Sequence, residues 1–89
     1  SKSPAVLICA QPTRGLDVGA IEYVHKRLLE QRERGAGILL ISTELDEIFT
    51  LSDRIAVISR GKIMGIVPNK DVDISQIGLM MAGTLQLPV

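Results

Sequence analysis

Two groups of polar residues follow the two most apolar segments of the chain, and they are the best candidates for chemistry. Residues 11–17 follow the apolar run at 5–10, and residues 43–47 follow the apolar run at 37–42. An apolar run that ends in a polar loop is typical of strand ends in open α/β sheets, where such sheets bind ligands. Amides, hydroxyls and carboxylates there could hydrogen-bond to a ligand. We therefore expect a ligand site at these two strand ends.

The elements that position these residues are predicted to form a βαβ unit. Residues 5–10 and 37–42 predict two buried strands. Between them, apolar residues recur at helical spacing over residues 17–34, with Asp17 as the N-cap of the helix. Because strand, helix and strand span about 40 residues, the two strands should lie parallel.

The second half of the chain predicts a short helix over residues 43–51, followed by a β-hairpin. The hairpin strands cover residues 53–59 and 62–67 and are joined by a tight glycine turn. A last helix should run over residues 73–82, and we expect the tail after Gly83 to fray. A sheet of only two parallel strands leaves a face uncovered, which favours a piece of a larger domain.

Composition excludes several classes of function. Ten basic and ten acidic residues cancel, and only one Phe and one Tyr are present, so we expect no nucleic-acid partner. No apolar run approaches the roughly 18 residues of a spanning helix, and no signal peptide is visible. The lone Cys9 favours a reducing compartment.

Three segments together resemble the ATP-binding domains of ABC transporters. Residues 7–17, LICAQPTRGLD, are similar to the Walker B strand and D-loop, whose pattern is four apolar residues, Asp-Glu-Pro-Thr and a Gly-Leu-Asp segment. Residues 40–47, LISTELDE, resemble the switch segment, and residues 51–63 resemble the closing strands. The resemblance implies an α/β fold with a partial P-loop NTPase-type sheet. It also implies that residues 1–89 are the C-terminal part of one ATP-binding domain, with Walker A, Q-loop and signature outside this chain.

The departures from the family pattern fall on the residues that perform hydrolysis. Ala10 holds the position of the Walker B aspartate, and a methyl group cannot coordinate Mg²⁺. Gln11 holds the position of the catalytic glutamate, and an amide cannot accept a proton from water at neutral pH. Thr43 replaces the switch histidine and cannot carry charge to a phosphoryl group. These three changes predict a degenerate nucleotide site with negligible turnover.

The Ala-Gln-Pro-Thr-Arg-Gly-Leu-Asp version of this motif is most similar to the second ATP-binding domain of fused importer ATPases for simple sugars or nucleosides. The resemblance implies a parent ATPase that uses ATP and Mg²⁺ at the cytoplasmic face of a bacterial inner membrane. Its partners would be the other ATP-binding domain of the parent and transmembrane permease subunits. Gly15, Leu16 and Asp17 would couple the two domains, and the role of this half would be regulatory or structural.

This chain on its own is not expected to be catalytic or to hold ATP, because it has no phosphate-binding loop. We assign no metal ligand within it, and we expect its open sheet edge to permit self-association. An alternative is a non-catalytic α/β regulatory or interaction domain that does not bind nucleotide. A third hypothesis is an active ATPase that takes its base from Glu44 or Glu47.

Several candidate residues also have ordinary structural interpretations. His25 is expected to lie at the surface or boundary of its helix, because no second ligand stands at metal spacing. The acidic run at residues 44–47 is typical of a solvated helix start. Thr43 is equally expected to be the N-cap of that helix.

Overall fold

The computed structural model describes residues 6–88 and contains four strands and three helices in that range. In chain order they are β1 (Val6–Ala10), α1 (Val18–Glu33), β2 (Gly37–Ile41), α2 (Leu45–Leu51), β3 (Arg54–Ser59), β4 (Lys62–Pro68) and α3 (Ile74–Met81). The chain divides into two compact units, the first ending at Leu51 and the second beginning at Ser52. The predicted α/β class and order of elements are confirmed.

The first unit is the predicted βαβ arrangement. Strands β1 and β2 pair in parallel, with Val6 opposite Gly37 and Ala10 opposite Ile41. The predicted strand start at Ala5 lies outside the described residues. Because the pairing is parallel and in register, the carboxyl ends of both strands meet at one edge of the sheet.

Helix α1 begins where the sequence predicts. The carboxylate of Asp17 accepts a hydrogen bond from the backbone N–H of Ala20 at 2.8 Å, which confirms Asp17 as the N-cap. The chain leaves the helix at Arg34 and turns at Gly35, whose φ of +91° lies in the left-handed region that glycine favours.

Helix α2 corrects the expectation that Thr43 caps it. The helix begins at Leu45, and the carbonyl of Glu44 accepts the bond from the Ile48 N–H, so Glu44 occupies the N-cap position. The hydroxyl of Ser42 accepts from the Glu44 N–H at 2.9 Å and holds the turn that leads into the helix. Thr43 is thereby left free to contact the neighbouring strand end.

The second unit is a hairpin packed with a helix. Strands β3 and β4 are antiparallel, and the turn residues Arg60 and Gly61 have φ of +52° and +78°. Positive φ at both central residues is the geometry of a type I′ turn, which suits the twist of the strands. The carboxylate of Asp73 caps α3 by accepting from the N–H groups of Ser75 and Gln76.

The apolar core of the second unit is formed by aliphatic and methionine side chains from all three of its elements. They are Ile55, Val57, Met64, Ile77 and Met80. The expected fraying of the tail after Gly83 is wrong, because the N–H of Leu87 donates to the carbonyl of Met64 at 2.7 Å. The tail is therefore held against β4.

One face of the β1–β2 sheet is apolar and exposed. Val6, Ile8, Leu39 and Ile41 lie on this face and are between 47% and 68% exposed. Buried parallel sheets normally have both faces covered. No helix within residues 6–88 is long and apolar enough to cross a membrane.

Candidate functional site

The parallel register brings Gln11 and Thr43 together at the strand ends. The N–H of Gln11 donates to the carbonyl of Ile41 at 2.7 Å and extends the ladder by one residue. The side-chain oxygen of Gln11 accepts a long hydrogen bond, 3.4 Å, from the backbone N–H of Thr43. Ala10 immediately precedes this point and lies opposite Ile41. The three positions that the sequence singled out therefore share one edge.

Gln11 has an unusual backbone conformation. Its φ is +50°, in the left-handed region that residues other than glycine, asparagine and aspartate seldom adopt. The loop that follows turns tightly, because the Arg14 N–H donates to the Gln11 carbonyl and the Leu16 N–H donates to the Thr13 carbonyl. Strained residues of this kind persist only where surrounding contacts hold them.

Thr13 provides one such contact. Its side chain is only 7% exposed, and its hydroxyl donates to the Oε2 atom of Glu47 at 2.7 Å. Glu47 lies in α2 and is 4% exposed. The loop after β1 is therefore bound to the helix after β2 by a buried, charge-assisted hydrogen bond.

His25 supplies a second donor to the same carboxylate. Its Nε2 atom lies 2.7 Å from Oε2 of Glu47 and comes from the middle of α1. One carboxylate oxygen thus joins three segments of the first unit: the loop of residues 11–16, α1 and α2. No side-chain nitrogen or oxygen that is buried within residues 6–88 lacks a hydrogen-bond partner.

The ionisation of Glu47 follows from these contacts. Burial alone raises the pKa of Glu47, but hydrogen bonds from His25, Thr13 and Ser42, together with the charge of His25, outweigh it and hold the pKa below its ordinary value of 4.5. Glu47 is therefore a carboxylate at neutral pH. Since a carboxylate can only accept, Nε2 of His25 carries the hydrogen in this contact.

One sequence expectation is corrected here: Glu47 is buried and paired rather than part of a solvated helix start. His25 is half-buried against it, at the boundary of its helix as expected, but its contact with Glu47 was not predicted. The signal in the sequence was weak: Glu47 shares a helical face with the apolar Leu51, four residues on. Thr13, which hydrogen-bonds to Glu47, lies 34 residues away in the sequence. No short sequence pattern therefore indicates that Glu47 is buried.

A pocket of about 700 Å³ lies beside these residues. Its lining includes Gln11, Thr13, Gly15, Leu16, Thr43 and Glu47. Gly15 has φ of +79°, and both Gly15 and Leu16 are exposed. Asp17 is engaged as the cap of α1, and the inter-domain role of residues 15–17 stays a prediction.

Ala10 and Gln11 do not fit a magnesium site. The Ala10 side chain offers no oxygen, and the side-chain oxygen of Gln11 already accepts a hydrogen bond from the Thr43 N–H. Within the part of the chain that the structure describes, no group of three or more His, Cys, Asp or Glu side chains is arranged to hold a metal ion. Gln11 and Thr43 themselves offer neutral hydrogen bonding by an amide, a hydroxyl and backbone N–H groups, while Arg14, Glu44 and Asp46 add charged side chains to the lining of the pocket.

The fold and the strand-end pocket together define a partial NTPase-type α/β segment. Comparison with known proteins agrees. The chain is 56% identical over 96% of its length to the guanosine import ATP-binding protein of Bacillus subtilis. It is 55% identical over 92% of its length to a nucleoside import ATP-binding protein of Lactococcus lactis. It is 38% identical over 91% of its length to a ribose import ATP-binding protein of Caldanaerobacter subterraneus.

The chain therefore belongs to the family of ABC-type import ATP-binding proteins and matches a segment of them. It spans about a sixth of the length of these curated relatives, 17% in the first case and 16% in the other two. No protein-family model matches the chain.

Proposed function

We propose that this chain is part of the ATP-binding subunit of a bacterial ABC importer, which couples ATP binding and hydrolysis to uptake of a nucleoside or simple sugar. The observation that carries the proposal is the identity of 56% to a guanosine import ATP-binding protein over nearly the whole chain. In this function the parent binds ATP and Mg²⁺ and works with permease subunits at the cytoplasmic face of the membrane.

Nucleosides are the favoured class of solute. Relatives named for guanosine and nucleoside import are 56% and 55% identical to the chain. Relatives named for glucose and ribose import are 47% and 38% identical. The higher sequence identity to the nucleoside importers supports a nucleoside importer. The solute itself would be selected by the permease and its extracellular partner.

Within the parent, this chain would be the C-terminal part of one ATP-binding domain. The exposed apolar face of Val6, Ile8, Leu39 and Ile41 supports this arrangement, because the rest of such a domain would cover it. The matched segment is only 17% of the guanosine import relative, which leaves ample chain for that purpose.

The nucleotide site to which this chain contributes would be degenerate and would support a partner site. Ala10 brings no oxygen to a metal, Gln11 cannot act as a general base, and Thr43 cannot carry charge to a phosphate. Gln11 is also occupied by its contact with the Thr43 N–H. The other ATP-binding domain of the parent would then carry the consensus acids, and residues 15–17 would couple the two sites.

Uptake measurements test the transport function directly. The gene that encodes this chain is deleted from the source organism. Uptake of radiolabelled guanosine, glucose and ribose by the deletion strain is then compared with uptake by the unmodified strain. Loss of guanosine uptake, restored by the full-length gene, is the expected result. Unchanged uptake of all three solutes would contradict the proposal, and loss of sugar uptake alone would overturn the nucleoside assignment.

A further inference from the structure

We propose that Glu47 is a positioning residue: through Thr13 it fixes the loop of residues 11–16 to α2, so that Gln11 and Thr43 keep one defined separation. Only the description of Gln11 and Thr43 as nucleotide-site positions rests on the proposed function. The attachment itself rests on contacts within the first unit.

The loop needs such an attachment because its first residue is strained. Gln11 lies in the left-handed region with φ of +50°. For a residue other than glycine this conformation is unfavourable unless neighbouring contacts enforce it. On its N-terminal side, the Gln11 N–H is fixed to the carbonyl of Ile41 at 2.7 Å. A second fixed point is needed on the C-terminal side.

Thr13 is that second point. It is the one buried residue of the loop, and its hydroxyl donates to Oε2 of Glu47 at 2.7 Å. After Gln11, the backbone bonds of the loop are longer, at 3.1 to 3.2 Å, and stay within the loop. The Thr13 contact therefore holds this part of the loop to α2.

Glu47 is itself held in place. Nε2 of His25, in α1, contacts the same oxygen at 2.7 Å. With Oε2 shared between two donors from different segments, the carboxylate has little freedom to follow the loop if the loop moves. Loss of either donor would also leave a buried carboxylate partly unsatisfied, which is costly.

The consequence concerns the two altered site residues. Thr43 lies four residues before Glu47, in the segment that leads into α2, and Gln11 lies two residues before Thr13. The Thr13–Glu47 bond thus links the two chain segments that carry Gln11 and Thr43, close to the 3.4 Å contact between them. Because of this bond, the loop of residues 11–16 and the segment of residues 43–47 move together.

Hydrogen exchange monitored by mass spectrometry tests this inference in the full-length protein. The variants are Thr13→Val, which removes the hydroxyl at constant size, and Glu47→Gln, which removes the charge. Thr13→Ser keeps the hydroxyl and is the rescue variant. Glu33→Gln makes the same chemical change as Glu47→Gln at an exposed position of α1 and is the matched control.

We expect Thr13→Val and Glu47→Gln to speed exchange in peptides that cover residues 11–16 and 43–47. The expected factor is roughly tenfold or more, which corresponds to about 1.4 kcal/mol. Exchange within β1 and β2 should speed up less than in these two segments, and exchange in the second unit should stay unchanged. Exchange throughout Glu33→Gln should match that of the unsubstituted protein, and Thr13→Ser should remain close to it. Unchanged exchange at residues 11–16 in both variants, or an increase spread equally over the strands, would overturn the inference.

The experiment needs no nucleotide. A result that overturns the positioning role can therefore be distinguished from a result that overturns the proposed transport function. Local loosening in a protein that transports none of the tested solutes would uphold the positioning role and reject the transport function. Where Thr13→Val does not fold, Thr13→Ser compared with Glu47→Gln decides: equal loosening in both would overturn the inference, and loosening in Glu47→Gln alone would uphold it.

Discussion

The hydroxyl of Thr13 and the carboxylate of Glu47 lie 2.7 Å apart, although 34 residues separate them in the sequence. The bond joins the loop after the first strand to the helix after the second, next to the edge where Gln11 meets Thr43. Hydrogen bonds between side chains and backbone groups therefore connect the polar residues at this edge. The proposed regulatory or structural role would require such connections even where hydrolysis does not occur.

Removal of the Thr13 hydroxyl should destabilise the first unit. Because Thr13 is buried and its partner is charged, we expect Thr13→Val to lower the free energy of unfolding by about 1–3 kcal/mol. Thr13→Ser, which keeps the donor, should lose less. Urea unfolding of the two variants and the unsubstituted protein measures the difference. If Thr13→Val were as stable as the unsubstituted protein, the result would be inconsistent with the bond.

Acid should weaken the first unit through Glu47. Its pKa in the folded protein lies below the ordinary value of 4.5, so the stabilisation is present above pH 4.5 and is lost as the pH falls through the folded value. Urea midpoints measured between pH 7 and about pH 3 should fall less steeply for Glu47→Gln than for the unsubstituted protein. In the exposed Glu33→Gln variant, the urea midpoint should change with pH as it does in the unsubstituted protein. If the midpoint changed equally with pH in all three proteins, Glu47 would not be the source of the acid sensitivity.

The second unit should depend strongly on Met80. This side chain is fully buried, with 0% exposure, whereas its neighbour Met81 is 48% exposed. We expect Met80→Ala to cost about 2–5 kcal/mol of unfolding free energy and Met81→Ala about 0.5 kcal/mol or less. Protection of the β3 and β4 amides against hydrogen exchange reports both values. Similar costs for the two variants would place Met80 outside the core.

The chain alone should not hold ATP. It carries the strand-end pocket but no glycine-rich phosphate-binding loop, and that loop supplies most phosphate contacts in such proteins. Isothermal titration of the 89-residue chain with ATP should give no measurable heat of binding. An affinity tighter than millimolar would show that the pocket binds nucleotide by contacts other than those expected.

The sequence predicted the framework because its signals are local. Apolar runs mark β1 and β2, Asp17 stands where a helix cap is needed, and Gly61 marks the hairpin turn. The buried Glu47 escaped prediction because an acidic residue at a helix start is normally solvated. Its burial depends on Thr13 and on the parallel register, both of which are properties of the assembled unit rather than of any short segment.

The predictions for the start of α2 and for the tail failed for similar reasons. Thr43 has a capping side chain, but the strand end uses its N–H to contact Gln11, and the helix begins two residues later. The tail after Gly83 was expected to fray beyond the last helix, yet the N–H of Leu87 donates to the carbonyl of Met64. In both places a contact distant in sequence replaced the local preference.

We propose that the nucleotide site formed with Ala10, Gln11 and Thr43 does not turn over ATP. The most direct test is phosphate release by the full-length protein in which the catalytic acid of the other ATP-binding domain is replaced. We predict release near background, since loss of a general base alone lowers a rate by about 10²–10⁴-fold. Hydrolysis at about half the rate of the unsubstituted protein would show that this site is active.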